Sequence, residues 1–287
     1  MDKPTVVITG GAGLIGPYLT ERLLPTHRVV SLDNYFIGSK RNHIKGAEYV
    51  EGHTKDIEEL LAKENPSIIF HLGEYSRVEQ SFDDLDLVWE SNVLGTFRVL
   101  QYWKKRGCKL VYAGSSTKFA DGGLGRDQSP YAWMKASNTE LVRNFGHWYG
   151  LPYAITYFYN AYAPRELSTG PYASVIGRFK EQYRKGQPIT VVSPGTQRRN
   201  FTHADDIARG LVDVGEKGEG DEYGLGDQRS YTILELAQMF GVKIDMLPER
   251  KGNRMDSIAD TTRVENEFGW KPQHNLPDYI ESIKKEQ

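Results

Sequence analysis

The amino-acid sequence predicts an α/β protein built on a doubly wound, mostly parallel sheet, with a small α/β cap formed by the C-terminal part of the chain. Three observations predict this fold. Short β-branched runs alternate with helix-length segments in the first half, and a glycine-rich turn follows the first run. After Asn160 this alternation of strands and helices becomes less regular. Strands separated by helices form βαβ units, whose strands run parallel. The length of 287 residues fits one large domain or two tightly joined ones.

Six strands and two long helices are predicted in the first half. The candidate strands are TVVITG (5–10), RVVSLD (28–33), EYVEG (48–52), SIIFHLG (67–73), KLVYAGSS (109–116) and YAITYFYN (153–160). The helices span about Leu85–Arg106 and Tyr131–Tyr149, and each has large apolar residues on more than one face. A surface helix needs only one apolar stripe, so the second stripe indicates burial by another subunit or by the second half of the chain.

The second half of the chain has a less regular pattern. The segment NAYAPRELSTGPYA (160–173) is rich in Gly, Pro and small residues, which is typical of a loop that leaves a sheet. A helix is predicted near residues 173–185 and a strand at PITVVS (188–193), followed by smaller pieces. We expect these pieces to form a cap on the strand ends.

Composition excludes several classes of partner. The chain has 36 Lys and Arg residues against 38 Asp and Glu residues, so its formal charge of −2 gives no general attraction to nucleic acid or anionic membranes. The one cysteine, Cys108, cannot form an internal disulfide or a thiol metal cage, and no metal is expected. Neither a long apolar window nor a signal peptide is recognisable. We therefore expect a cytoplasmic protein that binds neither nucleic acid nor membranes.

A glycine-rich turn, TGGAGLIG (9–16), stands between the first strand and the first helix. Gly10 permits the tight turn, Gly13 lets backbone N–H groups approach a pyrophosphate, and Gly16 lets the helix pack closely on the strand. The second strand ends in Asp33-Asn34, where the carboxylate can accept both ribose hydroxyls of an adenosine and repel a 2′-phosphate. The pattern predicts NAD rather than NADP. The alternative is a purely structural turn with Asp33 as a strand-end cap.

Hydroxyl groups and a lysine are predicted at the same edge of the sheet. The fifth strand ends in AGSST (113–117), at the carboxyl edge where open α/β sheets bind ligands. On the next helix, Tyr131 and Lys135 are four residues apart and share one face. A free phenol, with a pKa of about 10, is a poor base at neutral pH, and a nearby ammonium stabilises the phenolate. We expect Tyr131 to act as the acid/base, Lys135 to activate it and Ser115 to bind the same substrate oxygen. An amphipathic interface helix would produce the same spacing.

These pieces together resemble the NAD-dependent nucleotide-sugar epimerase/dehydratase family of extended short-chain dehydrogenase/reductases, which includes the UDP-glucose 4-epimerases. The matching segments are VITGGAGLIG, LDN, FHLGEYS, SNVLGTFRVL, YAGSST, YAWMK, YFYNAYAPR, QRRNFTHADDIARG and ERKGNRMDSIADTTRVENEFGWKP. The resemblance implies an NAD-binding Rossmann domain at residues 1–163. It implies a cap at residues 164–287 that binds a nucleoside diphosphate sugar of UDP or GDP type, with some segments returning to the Rossmann domain. It also implies a homodimer formed through the two long helices.

The same resemblance assigns the site residues. It makes Ser115, Tyr131 and Lys135 the catalytic set. The cofactor positions are Gly10, Gly13, Leu14, Ile15, Gly16, Asp33, Asn34, Leu72, Gly73, Asn92, Tyr131 and Lys135. The substrate positions are Ser115, Ser116, Thr117, Asn160, Arg199 and Arg250. Two guanidinium groups can neutralise a diphosphate in a protein without net positive charge, although a surface salt bridge is the alternative for each arginine.

Departures from the family pattern narrow the activity. Dehydratases of this family carry an Asp-Glu pair directly after the catalytic hydroxyl, whereas this chain has Ser116 and Thr117, whose hydroxyls are too weakly acidic for that role. Glu74-Tyr75-Ser76 replace small and apolar residues, and the stretch between Ser115 and Tyr131 is shorter than usual.

We therefore expect a nucleotide-sugar 4-epimerase. Tyr131 would take the proton of the sugar 4-hydroxyl while a hydride passes from C4 to NAD and returns on the other face of the sugar. Three alternatives stay open: a 4-dehydrogenase that releases a keto sugar, a 4,6-dehydratase, which the missing acidic pair disfavours, and a catalytically silent NAD-binding module.

Overall fold

The computed structural model describes residues 3–249 and 259–286. Its strands are β1 (Thr5–Thr9), β2 (Arg28–Asp33), β3 (Glu48–Glu51), β4 (Ile68–His71), β5 (Lys109–Ser115), β6 (Tyr153–Phe158), β7 (Ala161–Tyr162), β8 (Ile189–Val192), β9 (Arg198–Asn200), β10 (Thr202–His203), β11 (Gly220–Leu225), β12 (Ser230–Thr232) and β13 (Ile244–Leu247). Its α-helices are α1 (Gly16–Leu23), α2 (Ile57–Leu60), α3 (Leu85–Val88), α4 (Thr96–Arg106), α5 (Pro130–Tyr149), α6 (Val175–Arg184), α7 (Ala204–Lys217), α8 (Ile233–Gln238), α9 (Thr262–Phe268) and α10 (Leu276–Lys285).

Seven parallel strands form the central sheet, in the order β11-β6-β5-β4-β1-β2-β3. The predicted α/β fold with a doubly wound parallel sheet is confirmed, and the six predicted strands are β1 to β6. The seventh strand, β11, is not predicted from the sequence. Its sequence GDEYGL begins with glycine and two acidic residues, which are rare in strands, and its pairing with β6 is irregular.

Helices cover both faces of this sheet. Val7 of β1 points into a core with Trp103 of α4 and Val142 of α5. Its neighbours Val6 and Ile8 point the opposite way, into a core that includes apolar residues of α1 and α7. Side chains alternate between the two faces of a strand, so burial on both sides explains why β1 is apolar at every central position.

The two long helices lie where the sequence predicts them. The first consists of α3, a π-helical segment at Trp89–Gly95, and α4. The second is α5, which begins after Ser129, whose side chain accepts a hydrogen bond from the N–H of Ala132, and ends at Gly150 with a φ of 62°. Large apolar side chains are exposed on these helices: Leu85, Trp89, Leu94, Phe97, Trp133, Trp148 and Tyr149. The described residues of the second half, 164–249 and 259–286, leave this stripe uncovered.

A further apolar core lies among α6, α8 and α10. Strands β8 and β13 pair in parallel, β9 and β12 pair antiparallel, and the apolar side chains between them and α6, α8 and α10 include Phe179, Leu236 and Ile280. Within residues 164–249, helix α7 and strand β11 return to the central sheet. None of the helices that the structure describes is both long and apolar enough to span a bilayer.

The glycine turn after β1 is held by close backbone contacts. Gly10 has a φ of 73°, and its N–H donates to the carbonyl of Leu32. Gly16, the first residue of α1, packs directly on Gly11, so that a Cβ added at Gly16 would lie 2.4 Å from the backbone of Gly11. The helix can therefore begin beside the turn only if this position lacks a side chain.

We predict that Gly16→Ala lowers the free energy of unfolding by about 1–3 kcal/mol, because the added methyl group must push α1 away from the turn. Gly13→Ala is the matched control, since its Cβ would meet only the carbonyl oxygen of Gly10, at 3.2 Å. Thermal melting of the two variants measures the difference. Equal stability of Gly16→Ala and Gly13→Ala would contradict this packing.

Candidate active site

A cavity of about 1010 Å³ runs along the carboxyl ends of the central strands and is also lined by residues of α6 and β8. It is large enough for ligands bigger than a typical drug-sized molecule. The predicted site residues that line it are Gly10, Gly13, Leu14, Ile15, Gly16, Asp33, Asn34, Leu72, Gly73, Ser115, Ser116, Thr117, Tyr131, Lys135, Asn160 and Arg199. Arg250 lies outside the described residues.

The glycine turn and Asp33 fit a dinucleotide. A Cβ added at Gly10 would lie 2.8 Å from the Cα of Gly73, so the floor of the cavity between β1 and β4 is bare backbone. Helix α1 has no side-chain cap at its N-terminus, which leaves backbone N–H groups for an anionic ligand.

Asp33 is held in place by two backbone N–H groups. Its Oδ2 accepts from the N–H of Ala12 at 2.9 Å and its Oδ1 accepts from that of Tyr35 at 2.8 Å. Burial raises the pKa of Asp33 and outweighs the opposing effect of these bonds. Each carboxylate oxygen keeps a further lone pair, so the side chain is fixed and can still accept the two ribose hydroxyls of an adenosine.

Three hydroxyl groups meet at the end of β5. The Tyr131 hydroxyl donates to the Oγ of Ser115 at 3.3 Å, and this Oγ is 2.9 Å from the Oγ1 of Thr117. All three side chains are buried except for the surface that they present to the cavity. A tyrosine and a serine held this close can bind one substrate oxygen between them, which is the geometry that proton transfer at a hydroxyl or carbonyl group requires.

The sequence predicts that Lys135 acts on Tyr131, but in the structure its contacts are with other groups. Its ammonium forms a salt bridge with Glu74 and donates to the carbonyl oxygen of Ala113, and its Nζ lies 4.4 Å from the centre of the Tyr112 ring. In the described structure its hydrogen bonds are not to Tyr131. In the sequence Glu74 is a departure from the family pattern without an assigned role, because no local pattern pairs residues 61 positions apart.

Glu74 is the centre of a buried polar network. Its Oε1 accepts hydrogen bonds from Thr96, Tyr112 and Asn138 at 2.9, 3.1 and 2.9 Å. Burial alone would raise the pKa of Glu74, but the charge of Lys135 and the surrounding donors outweigh it, and the pKa is lowered. The carboxylate is therefore charged at neutral pH.

His71, at the end of β4, extends the same network towards the glycine turn. Its Nδ1 is 2.7 Å from the Oγ1 of Thr9 and its Nε2 is 3.0 Å from the Oγ1 of Thr96. Burial lowers the pKa of His71 to about 4, so its imidazole is neutral at pH 7. It is a packing and hydrogen-bonding residue that connects β1, β4 and α4.

Asn92 is the one predicted cofactor residue of the described chain that does not line the cavity. It lies fully buried in the π-helical segment, where its Oδ1 accepts from the N–H of Tyr75 and its Nδ2 donates to the carbonyl oxygen of Tyr75. This pair of bonds fixes the loop that follows β4, directly beside Glu74.

Further polar groups line the cavity beyond the glycine turn and the three hydroxyl groups. Asn160 has a φ of 36° and donates from its Nδ2 to the carbonyl of Asn200 at 2.8 Å, which joins the end of β6 to β9 beside Arg199. Arg77, which the sequence analysis did not identify, lines the same cavity and donates from Nε to the carbonyl of Tyr172 at 2.7 Å. Burial lowers the pKa of Arg77. Glu166 also lines the cavity, and burial raises its pKa to about 7.

We predict that Asp33→Asn weakens NAD binding by roughly tenfold to a hundredfold, because hydrogen bonds to a charged acceptor are lost. The preference for NAD over NADP should narrow as well, since the carboxylate no longer repels a 2′-phosphate. Titration calorimetry with both dinucleotides measures these effects. Asp213→Asn, on α7, is the control for loss of a carboxylate elsewhere. If Asp33→Asn leaves the ratio of NAD affinity to NADP affinity unchanged, the assignment of Asp33 to the adenosine ribose is refuted.

Comparison with known proteins agrees with this geometry. The chain is 28% identical to a Methanocaldococcus jannaschii protein named "Putative UDP-glucose 4-epimerase", with 97% of this chain and 96% of the relative covered. It is 27% identical to UDP-glucuronic acid decarboxylase 6 of Arabidopsis thaliana, with 94% of this chain and 85% of the relative covered. It is also similar to the crystal structure of Thermus thermophilus UDP-glucose 4-epimerase in complex with NAD, with a TM-score of 0.89, 26% identity and 98% of each chain covered.

The family itself is established by the match of residues 6–226. They match the family described as "NAD dependent epimerase/dehydratase family", and they include the glycine turn, Ser115, Tyr131, Lys135 and Arg199. The expected NAD dependence is confirmed at the level of the family. This chain is a member of the NAD-dependent epimerase/dehydratase family.

Proposed function

We propose that this chain is a nucleotide-sugar 4-epimerase that oxidises the sugar transiently at C4. The observation that carries the proposal is the Tyr131-to-Ser115 hydrogen bond at the bottom of a cavity that continues from the glycine turn to Arg199. The glycine turn and Asp33 would hold NAD, which would supply reversible hydride transfer at C4. Tyr131 removes the proton of the 4-hydroxyl and later returns it, while Ser115 holds the same oxygen.

The proposed substrate is a nucleoside diphosphate sugar of UDP or GDP type, bound between residues 1–163 and the cap at residues 164–287. Asn160, at the end of β6, and Arg199, on β9, both line the cavity, and Arg250 follows from the sequence alone. Guanidinium groups suit a diphosphate because they donate two parallel hydrogen bonds to its oxygens. This local charge is compatible with a protein whose net charge is −2.

A 4,6-dehydratase fits the site less well. Elimination of water needs an acid and a base besides Tyr131, and the positions directly after Ser115 are the buried hydroxyl residues Ser116 and Thr117. A 4-dehydrogenase would use the same groups as an epimerase and differs in releasing the keto sugar. The reaction products therefore distinguish an epimerase from a 4-dehydrogenase, whereas the residues of the site do not.

We predict that Tyr131→Phe lowers turnover by about 10²–10⁴-fold while NAD stays bound, because general acid/base catalysis contributes on that order and the phenol is its only proposed source. The test follows UDP-glucose, UDP-N-acetylglucosamine and GDP-mannose by proton NMR of the sugar. Tyr102→Phe is the matched control, since its hydroxyl bonds to the Leu61 carbonyl in the core, away from the cavity. A fully active Tyr131→Phe enzyme would refute the proposal, and a keto product with free NADH would favour the dehydrogenase.

We also propose a homodimer formed through the two long helices. Trp89 and Trp148 are 53% and 63% exposed, and such apolar area on a helix pair is typical of a subunit interface.

We predict that Trp89→Glu combined with Trp148→Glu gives a monomer, whereas the unaltered chain elutes at twice its mass of 32.6 kDa. Light scattering after gel filtration measures the mass. Met246→Glu, an exposed apolar residue of the cap, is the control and should stay dimeric; a monomeric unaltered chain would contradict the proposal.

A further inference from the structure

We propose that Arg77 binds a carboxylate on the sugar of the substrate, so that the preferred substrate is a nucleoside diphosphate sugar with an acidic group next to C4. The inference rests on the proposed function in taking Tyr131 as the residue that acts at C4. It deepens that function, because it names the class of sugar and the residue that selects it.

Arg77 lies on the loop that follows β4, where neutral groups hold it. Its Nε donates to the carbonyl oxygen of Tyr172 at 2.7 Å, and its Nη1 donates to the carbonyl oxygen and the Oγ of Ser76 at 3.0 and 3.1 Å. On the same loop, Gln80 donates from Nε2 to the carbonyl oxygen of Pro171 at 2.9 Å. Two segments of the chain therefore fix the guanidinium group, but neither provides a charge to balance it.

Arg77 has no acidic partner in the part of the chain that the structure describes. No carboxylate there forms a salt bridge with it, and the charge of Glu166 acts on it without a direct contact. The oxygens of Glu166 accept from the hydroxyls of Ser174 and Tyr279 instead. Burial raises the pKa of Glu166 to about 7, so this carboxyl group is only partly charged at neutral pH.

Burial lowers the pKa of Arg77, because its guanidinium group has lost part of its water without gaining a counter-ion. Arginine nevertheless stays protonated in proteins, so this cost is not relieved by loss of a proton. An anionic ligand would relieve it, since a desolvated charge is stabilised by an opposite charge that forms hydrogen bonds with it. The site therefore favours an anion over a neutral group at this position.

The Nη2 atom of Arg77 is available to such a ligand. It has no hydrogen-bond partner among the described residues, and it is not one of their buried unpaired atoms, so its N–H groups reach open space. Arg77 lines the same cavity as Tyr131 and Ser115. A guanidinium N–H suits a carboxylate oxygen because both groups are charged and their hydrogen bond is short and strong.

The position of Arg77 beside Tyr131 indicates which part of the substrate it meets. Tyr75, Val78, Tyr131 and Tyr172 pack in one apolar cluster, and Arg77 lies between the first two in the chain and is bonded to the last. The diphosphate of a nucleotide sugar is attached to C1, which is opposite C4 in a six-membered sugar ring. A cation beside the residue that acts at C4 therefore meets substituents of C3 and C5. The acidic group is a carboxyl on C5, as in a uronic acid, or one carried by an ether on C3.

The test compares acidic and neutral sugars that carry the same nucleotide. Titration calorimetry is done with the unaltered protein loaded with NADH, which already carries the hydride, so that the sugar is bound without being oxidised. We expect UDP-glucuronic acid to bind about tenfold to a hundredfold more tightly than UDP-glucose, because a hydrogen bond between two charged groups is gained. UDP-N-acetylmuramic acid and UDP-N-acetylglucosamine form a second pair, in which an ether on C3 carries the carboxylate.

A preference for the acid in the first pair supports a carboxylate on C5, and a preference in the second pair supports one on C3. Equal affinities within both pairs would overturn the proposal. This measurement needs no substitution, so it decides the matter even if variants of Arg77 do not fold.

Arg77→Gln separates this contact from other effects. It should bring the two affinities of the preferred pair close to each other, and it should change the affinity for the neutral sugar by less than about threefold. Arg41→Gln is the matched control, since Arg41 also lines the cavity but lies in the short helix at Lys40–Asn42, which contacts the glycine turn. The preference for the acid should persist in this control.

Two results with Arg77→Gln would overturn the proposal. An unchanged preference would mean that another group binds the carboxylate, and an equal loss of affinity for both sugars would mean that Arg77 binds the diphosphate or only supports the loop. Because the complexes do not react, these outcomes do not depend on epimerisation. If the sugar panel yields no product but the preference depends on Arg77, the proposed function fails while the carboxylate site stands.

Discussion

The position of β1 between β4 and β2 is the constraint on which the rest of the molecule depends. From β1 the chain goes to β2 and β3 on one side, and it returns to β4 on the other. The loops that follow β1 and β4 therefore diverge, and a crevice opens at their carboxyl ends, as in other open α/β sheets. The bare backbone of Gly10 and Gly73 lies at the bottom of this crevice. A dinucleotide fits there because the fold leaves that space, and the glycines keep it open.

The same crevice explains why ionisable groups are buried beside it. Thr9, His71, Thr96, Glu74 and Lys135 form one chain of polar contacts from β1 to α5. Each member has its hydrogen bonds satisfied by the next, so the chain costs less than isolated buried polar groups would. The network ends at the lysine one helical turn after Tyr131. The network thus links β1 and β4 to the helix that carries Tyr131.

The parts of the fold with strong local patterns were predictable from the sequence, and the parts set by long-range contacts were not. The β-branched runs of β1 to β6 and the Gly10-to-Gly16 turn have periodicities and spacings of their own. Strand β11 has no such pattern and exists because β6 offers it an edge. The pairing of Glu74 with Lys135 joins residues 61 positions apart, and the burial of Asn92 behind the cavity depends on a π-helical segment; neither has a local signal.

In the proposed reaction, a hydride leaves C4 of the sugar and returns to the same carbon. A nucleotide sugar labelled with deuterium at C4, starting with UDP-[4-²H]glucose, tests it most directly, with deuterium NMR and mass spectrometry of the products. The account predicts that the epimer keeps the deuterium at C4 and that none is exchanged with solvent. An epimer that has lost the label, or a keto sugar together with deuterated NADH in solution, would contradict it.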